Sequence, residues 1–220
     1  MKPKNVLFLR VPKTASSSVV DKKICNRVHP VGRFRTVECA QEYFSKEHMD
    51  KITWFWTRSY LNVIERSDKW FDFKKNNIFT FGFVRNPWDR AVSSWKYGSH
   101  KKSVNWNMNF LDYCRKLKTL ELYPKNGIAK NGLLLHSCEQ HSFLICEQKN
   151  LKADFIGKFE NLQNDFDVMC NITGIPQQQL PHKNATKHKH YSEYYDDETR
   201  SIVAEKYAKD IEYFNYKFVD

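Results

Sequence analysis

Residues 78–97, IFTFGFVRNPWDRAVSSWKY, decide the fold. Ile78 to Val84 is an apolar run of strand length. Asn86-Pro87 closes it, an N-cap residue followed by proline at the first helical position. From Pro87 to about Tyr97, Ala91, Val92 and Trp95 recur at helical spacing and predict a buried helix face. The stretch therefore predicts strand, tight loop, helix.

The same unit opens the chain. Asn5 to Val11 (NVLFLRV) is short and apolar, bounded by Pro3 and Pro12, and reads as a buried strand. Thr14 and Ser16 to Ser18 supply helix N-cap chemistry, and Val19 to Arg27 reads as a helix. A third unit follows, with a strand over Ala153 to Phe159 and a helix over Leu162 to Ile172, stopped by Gly174 and Pro176. A helix near Asn107 to Lys118 is predicted. So is one long final helix from Asp196 to about Phe214, with Ile202, Val203, Tyr207, Ile211 and Phe214 on one face. Strands alternating with helices predict an α/β fold with a parallel sheet, whose ligands bind beyond the carboxyl ends of the strands. No repeat or low-complexity linker divides the chain, so residues 1–220 are expected to form a single domain.

Composition bounds the partners. A chain with 41% hydrophobic and 28% charged residues is globular rather than disordered. The formal net charge of +11 favours an anionic partner: nucleic acid, nucleotide, acidic polysaccharide or anionic membrane surface. None of the six cysteines forms a CxxC pair, which points to buried free thiols, with disulfides the alternative in an oxidising compartment. Asn171-Ile172-Thr173 and Asn184-Ala185-Thr186 fit the glycosylation pattern. No apolar stretch is long enough to span a membrane. The first strand begins too early to leave room for a signal peptide. The expected compartment is the cytoplasm, or the Golgi lumen if the chain is a trimmed catalytic domain.

Two loops carry the chemistry. Val11 to Ser18 (VPKTASSS) places Lys13 just past a strand end, with hydroxyls and backbone N–H groups opening the next helix. A helix start of this kind attracts phosphate. The nucleoside-triphosphate pattern GxxxxGK[ST] is absent, since the loop has no glycine and its lysine precedes the hydroxyls. In the second loop Arg85 ends a strand, and Ser93 lies eight residues on, about two helical turns into the helix. An arginine fork suits a terminal phosphate, and a serine hydroxyl can share it. Asp89 and Arg90 could instead make local structural pairs. Taken singly, each loop could also be an ordinary helix start.

Together the loops resemble the two signature loops of the sulfotransferases that use 3′-phosphoadenosine 5′-phosphosulfate (PAPS). VPKTASSS is similar to their 5′-phosphosulfate loop, and FVRNPWDRAVSSW to their 3′-phosphate loop. RVPKTAS is close to the heparan sulfate 2-O-sulfotransferases, and the rest is nearer the membrane-associated and bacterial carbohydrate sulfotransferases. DFIGKFENLQNDF (154–166) resembles the third strand and helix of that group, and LPHKNATKHKHYSEYYDDET (180–199) its late basic loop. The resemblance implies a P-loop-like, three-layer α/β fold with a central, mainly parallel sheet flanked by helices. It implies PAPS as donor, PAP as product, no metal, and in-line transfer to a hydroxyl, expected to be on a carbohydrate. Lys13 would stabilise charge on the leaving oxygen, aided by Thr14 and the amides of Ala15, Ser16, Ser17 and Ser18. Arg85 and Ser93 would hold the 3′-phosphate. Lys183, Lys187 and His188 would close over the nucleotide.

One departure concerns the proton. Relatives often place a histidine about two dozen residues before the arginine loop, where this chain has Thr57 and Arg58. The base is left unassigned: His48 and Glu65 are candidates, with Glu38, Glu42, His136 and His141 behind them. Trp54 and Trp56 share a strand face by alternation and, with Arg58, are the expected acceptor contacts, whereas Trp88 and Trp95 are expected in the core. The rivals are a P-loop-type nucleotide kinase, a basic polyanion-binding module, and a degenerate PAP-binding protein without a base. The kinase should show a glycine loop and an acidic magnesium ligand. Against nucleic acid stands the lack of an RNP pattern, zinc finger or arginine-rich arm.

Overall fold

The structure is a computed structural model that describes residues 5–19, 52–56, 78–100, 107–119, 136–146, 151–181 and 189–219. In chain order its elements are β1 (Asn5–Arg10), α1 (Ser16–Val19), β2 (Ile52–Trp56), β3 (Ile78–Val84), α2 (Pro87–His100), α3 (Phe110–Thr119), α4 (His141–Leu144), β4 (Ile145–Cys146), β5 (Leu151–Lys152), β6 (Phe155–Lys158), α5 (Leu162–Thr173), α6 (Asp197–Lys206) and α7 (Ala208–Phe214). The residues group into two compact units.

The first unit (1–11, 15–84 and 142–185) holds a four-stranded parallel sheet in the order β2-β1-β3-β6. The α/β class with a parallel sheet is thus as the sequence predicts. β4 and β5 add a short antiparallel ribbon. The core beside the sheet is aromatic: Phe8, Phe81 and Phe83 are buried, and Phe166, Met169 and Cys170 of α5 pack with them. Phe8 and Phe81 lie 5.0 Å apart, and Phe83 meets Phe81 edge-on at 6.0 Å. Each ring withdrawn from water contributes roughly 1.5–3 kcal/mol. β6 is shorter than the predicted 153–159 strand. Asp154 turns its carboxylate to the backbone N–H and hydroxyl of Thr80, both at 2.8 Å, and Phe159 already begins a 3-10 turn. α5 stops as predicted at Gly174, whose φ of 78° caps the helix. The predicted helix over Val19 to Arg27 starts earlier, at Ser16, and beyond Val19 lies outside the described residues.

The second unit (12–14, 85–141 and 186–220) is helical. Trp88 and Val92 of α2, Phe110, Tyr113 and Leu117 of α3, and Ile202 and Val203 of α6 form its core. Trp95 is half-buried against that core, and its indole N–H donates to the Met108 carbonyl at 2.9 Å. α3 begins three residues later than predicted, because Asn109 caps it by accepting from the Asp112 N–H at 2.8 Å. The single final helix predicted over 196–214 is two helices. The break falls at Tyr207 (φ −113°, ψ 27°), which is buried. Its hydroxyl donates to the Ser137 carbonyl at 3.1 Å, and its ring lies 5.0 Å under the Arg90 guanidinium. At the tail, Phe218 is boxed by Trp88, Tyr191, Tyr195 and the Arg200 guanidinium. Among the described residues no helix is long and apolar enough to cross a membrane.

Two predictions follow from this packing. A Cβ on Gly157 would stand 2.5 Å from the Phe83 ring, so Gly157→Ala is expected to cost about 1–3 kcal/mol; a lowered urea midpoint at unchanged m value checks it. Burial, with Asp196 and Glu198 nearby, pushes the Cys114 thiol up to about 12, and burial with Asp167 pushes Cys170 up to about 11. The thiolate is the reactive species. Both cysteines should therefore resist iodoacetamide at pH 8 in the folded protein and react once it is unfolded, as read by peptide mass spectrometry.

Candidate active site

β1 and β3 are neighbours running in the same direction, paired Phe8 with Phe81. Continuing that register brings Val11 opposite Val84, so the two predicted loops leave adjacent strands at the same end. The first loop holds two non-glycine residues in the left-handed region, Lys13 (φ 68°) and Ala15 (φ 59°), flanking a buried Thr14. Each such residue costs about 1–2 kcal/mol. Hydrogen bonds lock the turn: the Ser16 hydroxyl donates to the Val11 carbonyl at 2.7 Å, and the Ser18 N–H donates to the Ala15 carbonyl at 2.8 Å. Ser17 faces solvent, whereas Ser16 and Ser18 are buried.

In the second loop, Arg85 grips Asp89 with both arms of its fork, Nε to Oδ2 at 2.7 Å and Nη2 to Oδ1 at 2.9 Å. Its Nη1 donates to the carbonyl of Lys13 at 3.3 Å. The two loops therefore meet, guanidinium of one against backbone of the other. Asn86 caps α2 as predicted, its side-chain oxygen accepting from the Trp88 N–H at 3.0 Å.

Residues 89, 93 and 97 recur every four positions and so form one stripe along α2, with Arg85 in the loop just before it. Asp89, Ser93 and Tyr97 are half-buried, whereas Arg90, Ala91, Val92 and Ser94 between them are buried. Lys13 runs beside this stripe. Its carbonyl faces Arg85 at one end, and its ammonium sits 4.3 Å over the Tyr97 ring at the other. Tyr97 in turn stacks on His136, centroids 4.9 Å apart and planes 26° apart.

Arg85 is also held by its backbone. Gln140, fully buried, accepts from the Arg85 N–H with Oε1 and donates to the Arg85 carbonyl with Nε2, each at 2.8 Å. Buried Asp210 of α7 fixes Gln140 in turn, accepting from the N–H groups of Gln140 (2.7 Å) and His141 (2.8 Å). Arg90 is not a second phosphate arm: its buried guanidinium donates to the carbonyls of His136 and Cys138.

Of the residues the sequence singles out, Ser93 lies on the α2 stripe and Arg85 just before it, while Lys13, next to Thr14 in the chain, contacts Arg85 and Tyr97. Trp54 and Trp56 lie on β2, paired with Phe8 and Arg10 of β1. Arg58, His48, Glu65, Lys183, Lys187 and His188 lie outside the described residues. Sequence reasoning missed Tyr97, which counting four from Ser93 would have reached. It also missed Gln140 and Asp210, which no local pattern marks.

The sulfotransferase family model matches residues 1–217. The chain belongs to the sulfotransferase family. A solved sulfotransferase from Alicyclobacillus acidocaldarius shares the fold, with a TM-score of 0.54 at 13% identity over 99% of this chain and 98% of that one. No curated protein matches. For this sulfotransferase the reaction class is sulfuryl transfer, and the α/β fold expected from the two loops is the one found.

Removing the Gln140 amide would strand a buried N–H and a buried carbonyl of Arg85, each worth about 1–3 kcal/mol. Gln140→Leu is expected to lower the melting temperature of the sulfotransferase by several degrees in a calorimetric scan.

Proposed function

We propose that this sulfotransferase takes its sulfuryl group from PAPS and passes it in line to a hydroxyl, on a carbohydrate, with the whole chain acting as one domain. The observation that carries the reading is the meeting of Lys13 with Arg85. Donor recognition needs positive charge at both ends of one nucleotide, and these two residues supply it from adjoining loops. The Lys13 ammonium, held at the loop by Tyr97, would face the bridging oxygen as charge builds there. Thr14 and the Ala15 to Ser18 segment would line the 5′-phosphosulfate. Arg85 and Ser93 would take the 3′-phosphate. The Asp89 pair fixes the orientation of the fork. Lys187 and His188 belong to the same reading as a cover over the nucleotide.

The carbohydrate acceptor rests on the likeness of the two loops to carbohydrate sulfotransferases, with support from the charge of +11 and an aromatic content of 15%. Trp54, Trp56 and Arg58 are its proposed contacts. Positioning and charge stabilisation supply the rate, much as in phosphoryl transfer.

The test is transfer of labelled sulfate from PAPS to a panel of glycans and small alcohols. Lys13→Ala is expected to reduce transfer at least 1000-fold, on the order of a lost transition-state charge partner. Arg85→Ala is expected to raise the Kd for PAP about tenfold or more, on the scale of a lost charged hydrogen bond. Equal turnover in wild type and Lys13→Ala removes Lys13 from the mechanism. Thermal stabilisation by ATP-magnesium and not by PAP would turn the reading to a kinase.

A further inference from the structure

We propose that Tyr97 is the positioning residue for the Lys13 ammonium, a role that rests on the sulfuryl-transfer reading above. A lysine that neutralises a leaving oxygen must be aimed, since a misplacement of about 1 Å can cost roughly 100-fold in rate. Lysine is poorly built to aim itself, because its charge sits at the end of a flexible four-carbon stem. In this chain both ends of Lys13 are held. Its backbone stands at φ 68°, with the carbonyl accepting from Arg85 Nη1 at 3.3 Å. Its ammonium lies 4.3 Å from the centre of the Tyr97 ring.

An aromatic partner has a chemical consequence. A carboxylate at position 97 would also hold the ammonium, but it would cancel the charge where the charge is needed. A ring face attracts a cation through its quadrupole and carries no net charge. Tyr97 therefore fixes the ammonium and leaves its full positive charge to act on the bridging oxygen. Charge builds on that oxygen only as its bond to sulfur breaks. The positioning should accordingly show in kcat rather than in the KM for PAPS.

Tyr97 is itself braced. Its ring stacks on the His136 imidazole, centroids 4.9 Å and planes 26° apart. The segment that carries His136 is fixed by three consecutive carbonyls. That of His136 accepts from Arg90 Nη1 (3.4 Å) and the Ser94 hydroxyl (3.5 Å), that of Ser137 from the Tyr207 hydroxyl (3.1 Å), and that of Cys138 from Arg90 Nη2. The stack asks of His136 a flat ring and no free nitrogen. Arg90, Ser94 and Tyr97 all lie on α2, and every residue in this chain of contacts belongs to the second unit. α2 and the loop before it thus hold the lysine at two points, its carbonyl through Arg85 and its ammonium through Tyr97. Support of this kind keeps a functional group within about 0.5 Å of its working geometry.

The test compares wild type, Tyr97→Phe and Tyr97→Leu by two measurements. The first is NMR of protein carrying carbon-labelled lysine, with the Lys13 ε-methylene signal identified by its loss in Lys13→Arg. In wild type that signal should lie upfield of the free amino acid, because protons over a ring face are shielded. Tyr97→Leu should abolish the shift, and Tyr97→Phe should keep it. The second is steady-state transfer from PAPS to the best acceptor of the panel. Tyr97→Leu is expected to lower kcat about tenfold, the scale of one partly buried cation–ring contact, with the KM for PAPS within about threefold. Tyr97→Phe, which keeps the ring face, should restore most of that kcat. A Lys13 signal that does not move on Tyr97→Leu overturns the assignment, whatever the rates. So does a moved signal with kcat unchanged, or a kcat in Tyr97→Phe as low as in Tyr97→Leu. In each of these cases transfer by the wild type leaves the donor reading standing. A wild type that binds PAP yet transfers to no acceptor sinks the positioning role and the enzyme reading, and a wild type that ignores PAP sinks the donor reading too.

Discussion

Arg85 is held through both its side chain and its backbone, and the chemistry around Lys13 depends on it. Asp89 fixes the plane of the fork, Gln140 holds the backbone, and the third arm reaches the carbonyl of Lys13. A cation so placed stiffens the neighbouring loop as well as offering charge. That matters because the Lys13 loop is strained, with two non-glycine residues at positive φ. Glycine would adopt those angles without strain but would leave the loop mobile. Here local bonds to Val11 and Ala15, and the arm from Arg85, hold a lysine-bearing loop in a conformation its sequence does not favour.

α2 shows how one helix divides its labour. Its buried residues supply Trp88, Ala91 and Val92 to an apolar core, together with Arg90, whose charge is met by backbone carbonyls and an aromatic ring. Its half-buried stripe supplies Asp89, Ser93 and Tyr97. A buried arginine held by carbonyls is a demanding arrangement, since a donor left unmet costs energy. Here both terminal nitrogens find carbonyls, while the buried Nε finds no hydrogen-bond partner among the described residues. The arginine anchors residues more than forty positions away in the chain, which apolar packing alone could not aim as finely.

Much of this was legible in the residues. The apolar run Ile78 to Val84 closed by Asn86-Pro87 marks a strand and a helix start through local chemistry alone, and both boundaries match the structure. Gly174 marks a helix end for the same reason. The break at Tyr207 was not legible: the apolar spacing continues through it, and the cause is a hydroxyl bonded to Ser137, seventy positions earlier. Strand order is equally non-local. In the site, Lys13, Arg85 and Ser93 announce themselves by sitting just after strands or at helical spacing. Gln140 and Asp210 do not, because they act through backbone groups that every residue possesses.

The cap residue Asn86 reaches, through its side-chain nitrogen, the carbonyl of Lys217, 131 positions later. Val219 and Phe218 are pinned beside it by Tyr191 and the surrounding rings. During synthesis, then, the start of α2 leaves the ribosome long before the residues that complete its surroundings. The arginine loop can reach its finished form only when residues 217–219 are free of the exit tunnel, so its maturation waits for a segment 131 positions downstream.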